Sequence, residues 1–258
     1  MTNIKLSIIT VTFNNERNID KYLEALLKNL PENTEVIIAD NNSSDKTVER
    51  IKNYPSIKLL ENNQNLGFAK ANNIAVKKSQ GEYLFFLNPD TQVLDDAINK
   101  LLNFADENEA VGIIAPKLVQ LDKKVQPTVR KLPTILGAIK EYYFGIKNSY
   151  EAYVPNEETP VVVESVVGGA ILIKRGVFEK VGKFNEKYFL YYEDLELCKQ
   201  VLQKGYKIFY FPQAVIIHEV GGSISEQKNT WIVDAAKIYH GVVAYFFLYW
   251  ILRFRNIF

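Results

Sequence analysis

The sequence predicts an α/β fold in which a mostly parallel sheet is flanked by helices. Short runs of β-branched and aromatic residues alternate along the chain with segments of helical hydrophobic period. Each of the first four apolar runs is followed by a polar stretch, as expected where a crevice forms at the carboxyl ends of strands. The 258 residues, 47% of them hydrophobic, are enough for one large α/β domain with a substantial core.

The first 116 residues alternate strictly between the two kinds of segment. Strands are predicted over residues 5–11, 35–39, 57–60, 82–87 and 111–115. Helices are predicted over residues 18–30, 45–51, 68–78 and 97–104. Because strands that alternate with helices pair in parallel through right-handed crossovers, residues 1–116 are predicted to form a Rossmann-like nucleotide-binding half.

Residues 117–223 are predicted to form a second, acceptor-binding half of the same domain. The pattern is irregular and loop-rich from residue 116 to 161, and one buried strand is predicted over residues 161–174. A helix over residues 194–203 ends at Gly205, and two short strands follow over residues 207–211 and 214–218. The sequence therefore predicts one compact domain followed by a C-terminal segment, the appendage, at residues 224–258.

The appendage is predicted to be an amphipathic or apolar helical segment. Residues 242–252 carry no charge and precede Arg253 and Arg255, but they fall short of the ~20 residues that a spanning helix needs. Aromatic residues beside arginines suit a helix in the lipid headgroup region. Two alternatives remain open. The terminal helix could pack on the domain itself, or it could pack on a second subunit and so form a homodimer.

Charge and cysteine content exclude several classes of protein. The formal net charge of +1 argues against nucleic-acid binding through phosphate neutralisation. A single cysteine, Cys198, with two histidines is too few for a disulfide or a structural zinc site, which suits a reducing compartment. The first residues have no signal-peptide pattern, so a cytoplasmic location is expected, with peripheral contact at the cytoplasmic face of the membrane if the appendage binds lipid.

Polar residues at the ends of the strands mark a candidate ligand crevice. Thr12 and Asn14 follow the first strand, Asp40 the second, Asn65 the third, and Asn88 with Asp90 the fourth. Any one of them is explained by a turn or a helix cap, but together they delimit a crevice. A carboxylate at Asp40 can accept hydrogen bonds from a base or a ribose, and one at Asp90 can hold a hard divalent cation.

Two adjacent carboxylates, Glu193 and Asp194, follow an aromatic run at a helix start. Apolar surroundings and like charge should raise the pKa of at least one of them, which suits a general base. The alternative is that Asp194 is a plain N-cap. Farther on, His218 ends a strand, and the main-chain N–H groups of residues 221–223 could reach a phosphate.

Ordered motifs across residues 5–223 resemble the family 2 glycosyltransferases with the GT-A fold, and among them the rhamnosyltransferase-like branch. The motifs occupy residues 7–15, 36–45, 65–73, 86–90, 167–170 and 184–198, together with His218. The resemblance implies a base pocket at Thr12 and Asn14, with Asp40 on the base or ribose. It implies that the floor near the ribose and diphosphate is formed by Asn65, Gly67, Phe68 and Asn72.

The resemblance also implies a metal site and a base. The family's usual Asp-x-Asp stands here as Asn88-Pro89-Asp90, so Asp90 is the expected ligand of Mg²⁺ or Mn²⁺ and the affinity is expected to be weakened. Asn88 and Gly169 belong with the nucleotide-sugar residues, and His218 lies near the diphosphate or the metal. Asp194 matches the base that activates the acceptor, with Glu193 beside it.

The function that this resemblance implies is inverting hexosyl transfer. The donor would be a nucleoside diphosphate sugar of dTDP, UDP or GDP type, L-rhamnose being one candidate sugar. The acceptor would be a hydroxyl of a glycan or a lipid-linked acceptor in cell-surface or cell-wall polysaccharide synthesis. Two other classes remain: a non-catalytic nucleotide-sugar binding or scaffold protein, and a nucleotide-dependent oxidoreductase. The oxidoreductase is disfavoured because the turn at residues 13–18 lacks the glycines of a dinucleotide site.

Overall fold

A computed structural model describes residues 4–219 and 228–254 of the chain. The N-terminal half consists of β1 (Leu6–Thr12), α1 (Ile19–Lys28), β2 (Thr34–Asp40), α2 (Thr47–Ile51), β3 (Ile57–Glu61), α3 (Phe68–Lys77), β4 (Tyr83–Leu87), β5 (Thr91–Val93), α4 (Ala97–Glu107) and β6 (Val111–Val119). Strands β3, β2, β1 and β4 pair in that order and in parallel. The chain passes from β3 back across β1 to β4, so the crevice expected at a topological switch point lies at the carboxyl ends of β1 and β4.

The second half adds antiparallel pairs and three further helices. Its elements are β7 (Val129–Arg130), α5 (Ile135–Phe144), β8 (Val161–Val163), β9 (Ser165–Val166), β10 (Ala170–Lys174), α6 (Arg175–Lys180), α7 (Glu193–Gln203) and β11 (Lys207–His218). The main sheet of the described chain runs β3-β2-β1-β4-β10-β6-β11-β5, with β8 also on β11. Strand β10 is antiparallel to β4 and β6, whereas β11 is parallel to β6. The mostly parallel α/β prediction is confirmed.

Helices cover both faces of the sheet. Successive residues of β1 point to opposite faces of the sheet, and each face has its own hydrophobic core. Ile8 packs in the core that contains α1 and α4, and Ile9 packs in the core that contains α3, α6 and α7. Two C-terminal helices follow, α8 (Lys228–His240) and α9 (Val242–Arg253). The Trp231 ring of α8 lies 5.0 Å from the Phe189 ring, which places α8 over the loop before α7. Within the described residues, no helix has the length and hydropathy needed to cross a membrane.

Three local predictions are wrong. Residues 161–174 form β8, β9 and β10, because Glu164 and the glycines at 168 and 169 interrupt the apolar run and Gly168 has φ +109°. Residues 207–218 form the single strand β11, which keeps its pairing through a register shift between Phe211 and Val215. The loop-rich region contains α5, which begins where the Thr134 hydroxyl accepts a hydrogen bond from the Gly137 N–H at 2.9 Å. The predicted boundary at residue 223 lies outside the described residues.

Candidate active site

Thr12 and Asp40 lie side by side at the ends of β1 and β2, where they are register partners. Both are buried, and the Thr12 hydroxyl donates to Asp40 Oδ1 at 2.8 Å. The Ser43 hydroxyl donates to the same oxygen at 2.6 Å, and the Ser43 N–H donates to Oδ2 at 2.8 Å. Three donors therefore hold the Asp40 carboxylate in one orientation at the base of the crevice.

Asn14 lies at the exposed rim of the same pocket. Its backbone is left-handed, with φ 56°, which asparagine tolerates better than most residues. The Asn14 N–H donates to the Ser43 hydroxyl at 2.9 Å, and its Oδ1 accepts from the Ser44 N–H at 2.8 Å. The loops after β1 and β2 are thereby joined, which keeps Asn14 next to the Asp40 environment.

The start of α3 connects this pocket to the loop before α7. The Gly67 N–H donates to Asn65 Oδ1 at 3.0 Å, and the Phe68 N–H donates to the Phe189 carbonyl at 2.8 Å. A Cβ on Gly67 would lie 2.3 Å from that carbonyl oxygen, so only glycine allows this approach. Asn41, which the sequence analysis did not select, donates its side-chain amide to the Gly67 carbonyl at 3.1 Å.

Asn72 is buried one turn into α3. Its amide nitrogen donates to the Phe68 carbonyl at 2.9 Å, whereas its Oδ1 is buried without a hydrogen-bond partner. The predicted floor residues Asn65, Gly67, Phe68 and Asn72 therefore belong to one turn and the helix that it starts. Their position beside the Asp40 pocket is consistent with the sequence prediction.

Asp90 and His218 face each other across the end of β4. Asp90 Oδ1 lies 3.4 Å from His218 Nε2, and this oxygen is buried without a hydrogen-bond partner. His218 Nδ1 lies 2.8 Å from Gln126 Oε1, while the Gln126 amide nitrogen donates to the His218 carbonyl at 2.7 Å. Because this glutamine donates with its nitrogen, its oxygen must accept, which places a proton on Nδ1.

This tautomer of His218 determines whether Asp90 and His218 fit a metal cation. In the neutral imidazole, Nε2 is then an acceptor, so a lone pair faces the unpartnered Asp90 oxygen. An unpartnered carboxylate oxygen beside an imidazole nitrogen is a donor set that Mn²⁺ accepts, so Asp90 and His218 are residues that could hold a divalent cation. No group of three or more His, Cys, Asp or Glu side chains suited to a metal occurs among residues 4–219 and 228–254, so further ligands would come from substrate and water.

A pair of glycines joins this site to the predicted base. The Asn88 N–H donates to the Gly169 carbonyl at 2.8 Å, and a Cβ on Gly169 would lie 3.1 Å from His218 Nε2. The adjacent Gly168 N–H donates to Asp194 Oδ2 at 3.3 Å. Asn88, His218 and Asp194 therefore all lie next to the turn at Gly168 and Gly169, so the structure brings the Asp90–His218 pair close to Asp194.

Asp194 and Glu193 occupy the first turn of α7. The cap of this helix is Tyr192, so the interpretation of Asp194 as a plain N-cap is wrong. Burial raises the pKa of Asp194, although the N–H groups of Leu195 and Gly168 and the charge of Arg130 partly oppose the shift. Burial, followed by the charge of Asp194, raises the pKa of Glu193 well above its usual value. The two adjacent carboxyls therefore do not ionise independently of each other.

The sequence analysis missed Gln126 and Arg130, because their role depends on contacts with distant residues. Gln126 orients His218, and Arg130 lies near enough to Asp194 for its charge to lower the pKa of that carboxyl. The phosphate contact predicted at residues 221–223 lies outside the described residues.

Comparisons with known proteins show which family and which relatives the sequence matches. Residues 7–182 match the family described as Glycosyl transferase family 2. The N-acetylglucosaminyl-diphospho-decaprenol L-rhamnosyltransferase of Mycobacterium tuberculosis is 28% identical over 238 residues, covering 84% of this chain and 76% of that protein. The dTDP-rhamnosyl transferase RfbF of Shigella flexneri is 26% identical over 223 residues, covering 85% of this chain and 70% of that protein.

A solved structure has the same fold. The crystal structure of GalNAc-T7 with UDP, GalNAc and Mn²⁺ matches with a TM-score of 0.68 at 16% identity, over 87% of this chain. The chain spans 45% of that longer one. At this identity the likeness concerns the fold alone.

Proposed function

This chain belongs to glycosyl transferase family 2, and on that basis we propose that it transfers a hexose, with inversion, from a nucleoside diphosphate sugar to a hydroxyl group. The family and the GT-A fold predicted from the sequence are confirmed. The observation that carries the proposal is the turn at Gly168 and Gly169, which contacts the base Asp194 on one side and His218 on the other. The group that would activate the acceptor hydroxyl, Asp194, then lies close to the group that would stabilise the leaving diphosphate, His218 with Asp90.

We propose L-rhamnose as the sugar and dTDP as its carrier, with UDP and GDP as the alternatives. The names of the two rhamnosyltransferase relatives support this choice. The acceptor is a glycan or a lipid-linked sugar in cell-surface polysaccharide synthesis, as the diphospho-decaprenol acceptor named for the first relative suggests. In this scheme residues 1–116 bind the donor, residues 117–223 bind the acceptor, and residues 224–258 contact the membrane.

The donor pocket consists of Thr12, Asn14, Asp40, Asn65, Gly67, Phe68, Asn72, Asn88, Asp90 and Gly169. Asp40, held by Thr12 and Ser43, would accept hydrogen bonds from the base or the ribose. Asp90 and His218 would hold Mg²⁺ or Mn²⁺, because an unpartnered carboxylate oxygen faces an imidazole nitrogen. When bound, the cation would stabilise the negative charge that develops on the departing diphosphate.

Asp194 would act as the general base. It removes the proton from the acceptor hydroxyl as that oxygen attacks the anomeric carbon from the face opposite the diphosphate. The new carbon–oxygen bond forms while the bond to the diphosphate breaks, through an oxocarbenium-like state, and the configuration inverts. Burial and the neighbouring Asp194 raise the pKa of Glu193 well above its usual value, which disfavours a second negative charge beside the base.

Replacing the base tests the mechanism. We expect Asp194→Asn to lower turnover by about 10²- to 10⁴-fold, the contribution of a general base, while donor nucleotide affinity stays within about twofold of the wild type. Asp95→Asn, at an exposed position outside the site, is the matched control and should retain full turnover. Unchanged turnover in Asp194→Asn would remove this residue from the mechanism.

The identity of the donor is tested by thermal shift. A ligand that binds only the folded state raises Tm, so dTDP, UDP and GDP are compared with and without Mg²⁺ or Mn²⁺. We expect the largest shift with dTDP and cation, and a smaller effect of the cation in Asp90→Asn. If the cation changed the nucleotide-induced Tm shift by the same amount in the wild type and in Asp90→Asn, the assignment of Asp90 as a metal ligand would be contradicted.

We propose that the protein contacts the cytoplasmic face of the membrane through α5 and α9. Eleven large apolar side chains are exposed on α5, α8, α9 and the residues next to them: Leu136, Tyr143, Phe144, Ile146, Ile238, Val242, Val243, Phe246, Phe247, Trp250 and Phe254. Helix α9 contains no acidic residue, and Arg253 at its end lies 5.6 Å from the Trp250 ring centroid. An apolar surface bordered by cationic side chains suits an anionic lipid surface.

Vesicle flotation distinguishes a lipid from a second copy of the chain. We expect the wild type to float with phosphatidylglycerol vesicles, and the double variant Phe247→Ser with Trp250→Ser to stay at the bottom of the gradient. Leu121→Ser, which replaces an exposed leucine on another surface, is the control and should float. A dimer in light scattering that the double variant abolishes, without vesicle binding, would overturn the membrane proposal in favour of a homodimer.

A further inference from the structure

Arg130 lies close to the predicted base, Asp194. It ends β7, which pairs with β9 so that Arg130 is opposite Ser165, and the Ser165 hydroxyl donates to the Arg130 carbonyl at 2.7 Å. Strand β9 continues into Gly168, whose N–H contacts Asp194 at 3.3 Å. The guanidinium is also close enough to lower the pKa of Asp194, although burial raises that pKa more strongly. Arg130 is therefore close to the carboxylate to which the proposed function assigns the role of base.

The guanidinium of Arg130 uses only part of its hydrogen-bonding capacity. Its Nη2 donates to the Tyr150 carbonyl at 2.8 Å, and its Cζ lies 5.6 Å from the Tyr150 ring centroid. Its Nε is buried without a partner, and Arg130 forms no ion pair with a carboxylate of the described residues. Because a buried cationic donor without a partner is costly, this arrangement favours an anion supplied by a ligand.

Tyr150 connects Arg130 to the apolar helices. Its side chain packs in a small core with Ala138 of α5 and with Leu248 and Leu252 of α9. The structure therefore links three features in turn: Asp194, the Arg130 guanidinium with its unpartnered donor, and helices α5 and α9, which also carry exposed apolar side chains. A sugar joined through phosphate to a lipid presents a hydroxyl, an anion and a hydrocarbon chain in the same order.

We propose that Arg130 binds the phosphate that joins the acceptor sugar to its lipid. The inference rests on the proposed function, because it takes Asp194 as the base and a lipid-linked sugar as the acceptor. The planar guanidinium suits this role, since it can donate two parallel hydrogen bonds to a phosphate. Arg130 then positions the acceptor hydroxyl relative to Asp194 without touching the reacting atoms.

The experiment measures binding of farnesyl diphosphate by calorimetry, with donor nucleotide present to occupy the donor pocket. We expect the Kd to rise at least about tenfold in Arg130→Gln, the loss typical of a charged hydrogen bond, and to change less in Arg130→Lys, which keeps the charge. Lys131→Gln, the adjacent exposed position, removes the same charge and should bind as the wild type does. Circular dichroism melting of each variant shows whether it is folded.

Each other outcome decides against the proposal. It would be overturned by equal affinity of Arg130→Gln and wild type, or by a wild type that does not bind farnesyl diphosphate. Farnesol binding as tightly would assign the affinity to the apolar face alone. Inorganic pyrophosphate binding as tightly, and weakened by Arg130→Gln, would assign the site to free diphosphate. Failure of the proposed function is distinguishable, because it appears as absent sugar transfer by wild-type protein while this binding measurement stands.

Discussion

Replacing Gly67 by alanine tests how the donor pocket and the loop before α7 depend on each other. Gly67 has φ 77° and ψ 179°, a conformation that costs other residues about 1–3 kcal/mol. The new Cβ would also lie 2.3 Å from the Phe189 carbonyl oxygen, which forces apart the hydrogen bond from the Phe68 N–H, worth about 0.5–1.5 kcal/mol. We therefore expect Gly67→Ala to lower the free energy of unfolding by about 1.5–4.5 kcal/mol.

The assay is urea unfolding, with Gly241→Ala as the matched control. Gly241 has φ 80° and ψ 150°, but no atom lies within 4 Å of the position that a Cβ would take there, so this variant has the backbone strain without the collision. Gly67→Ala should lose more stability than Gly241→Ala, and only Gly67→Ala should lose turnover, since the displaced Phe189 loop leads to Glu193 and Asp194. Equal losses of stability with unchanged turnover in both variants would refute the reasoning.

Three further predictions concern the carboxylates. Because the folded state raises the pKa of Glu193, the wild-type free energy of unfolding should fall as pH rises from about 4.3 through the raised pKa. Glu193→Gln should remove this loss, and urea unfolding at pH 5 and pH 8 would contradict the reasoning if both proteins had the same slope. Thr12→Val removes one donor to Asp40 and should weaken nucleotide binding about fivefold in calorimetry, the equivalent of about 1 kcal/mol; unchanged affinity would show that the Ser43 donors suffice. Finally, kcat/KM should fall on acidification with a midpoint above about 3.9, because burial raises the pKa of Asp194, and a midpoint at or below that value would exclude Asp194 as the titrating base.

Most of the parallel half could be predicted because its signals are local. The apolar runs that became β1 to β4 end within a residue or two of the predicted positions, and the polar residues after them follow strands that pair in parallel, so they lie at one edge of the sheet. Thr12 and Asp40 illustrate this: each ends its own strand, and parallel pairing of β1 with β2 makes them neighbours. The second half was harder, because β8, β9 and β10 come from one apolar run whose parts pair with different strands.

By itself, the sequence determined the α/β class and the family, and it predicted a crevice at the carboxyl ends of the strands, since periodicity, turn residues and ordered motifs are all properties of short segments. Only the tertiary structure decided that Gln126 contacts His218, that the Gly168 N–H contacts Asp194, and that Arg130 lies close to Asp194 while it also contacts Tyr150. The physical reason is that these contacts join residues far apart in the chain. Their geometry follows from how strands pair and helices pack, which no short segment encodes.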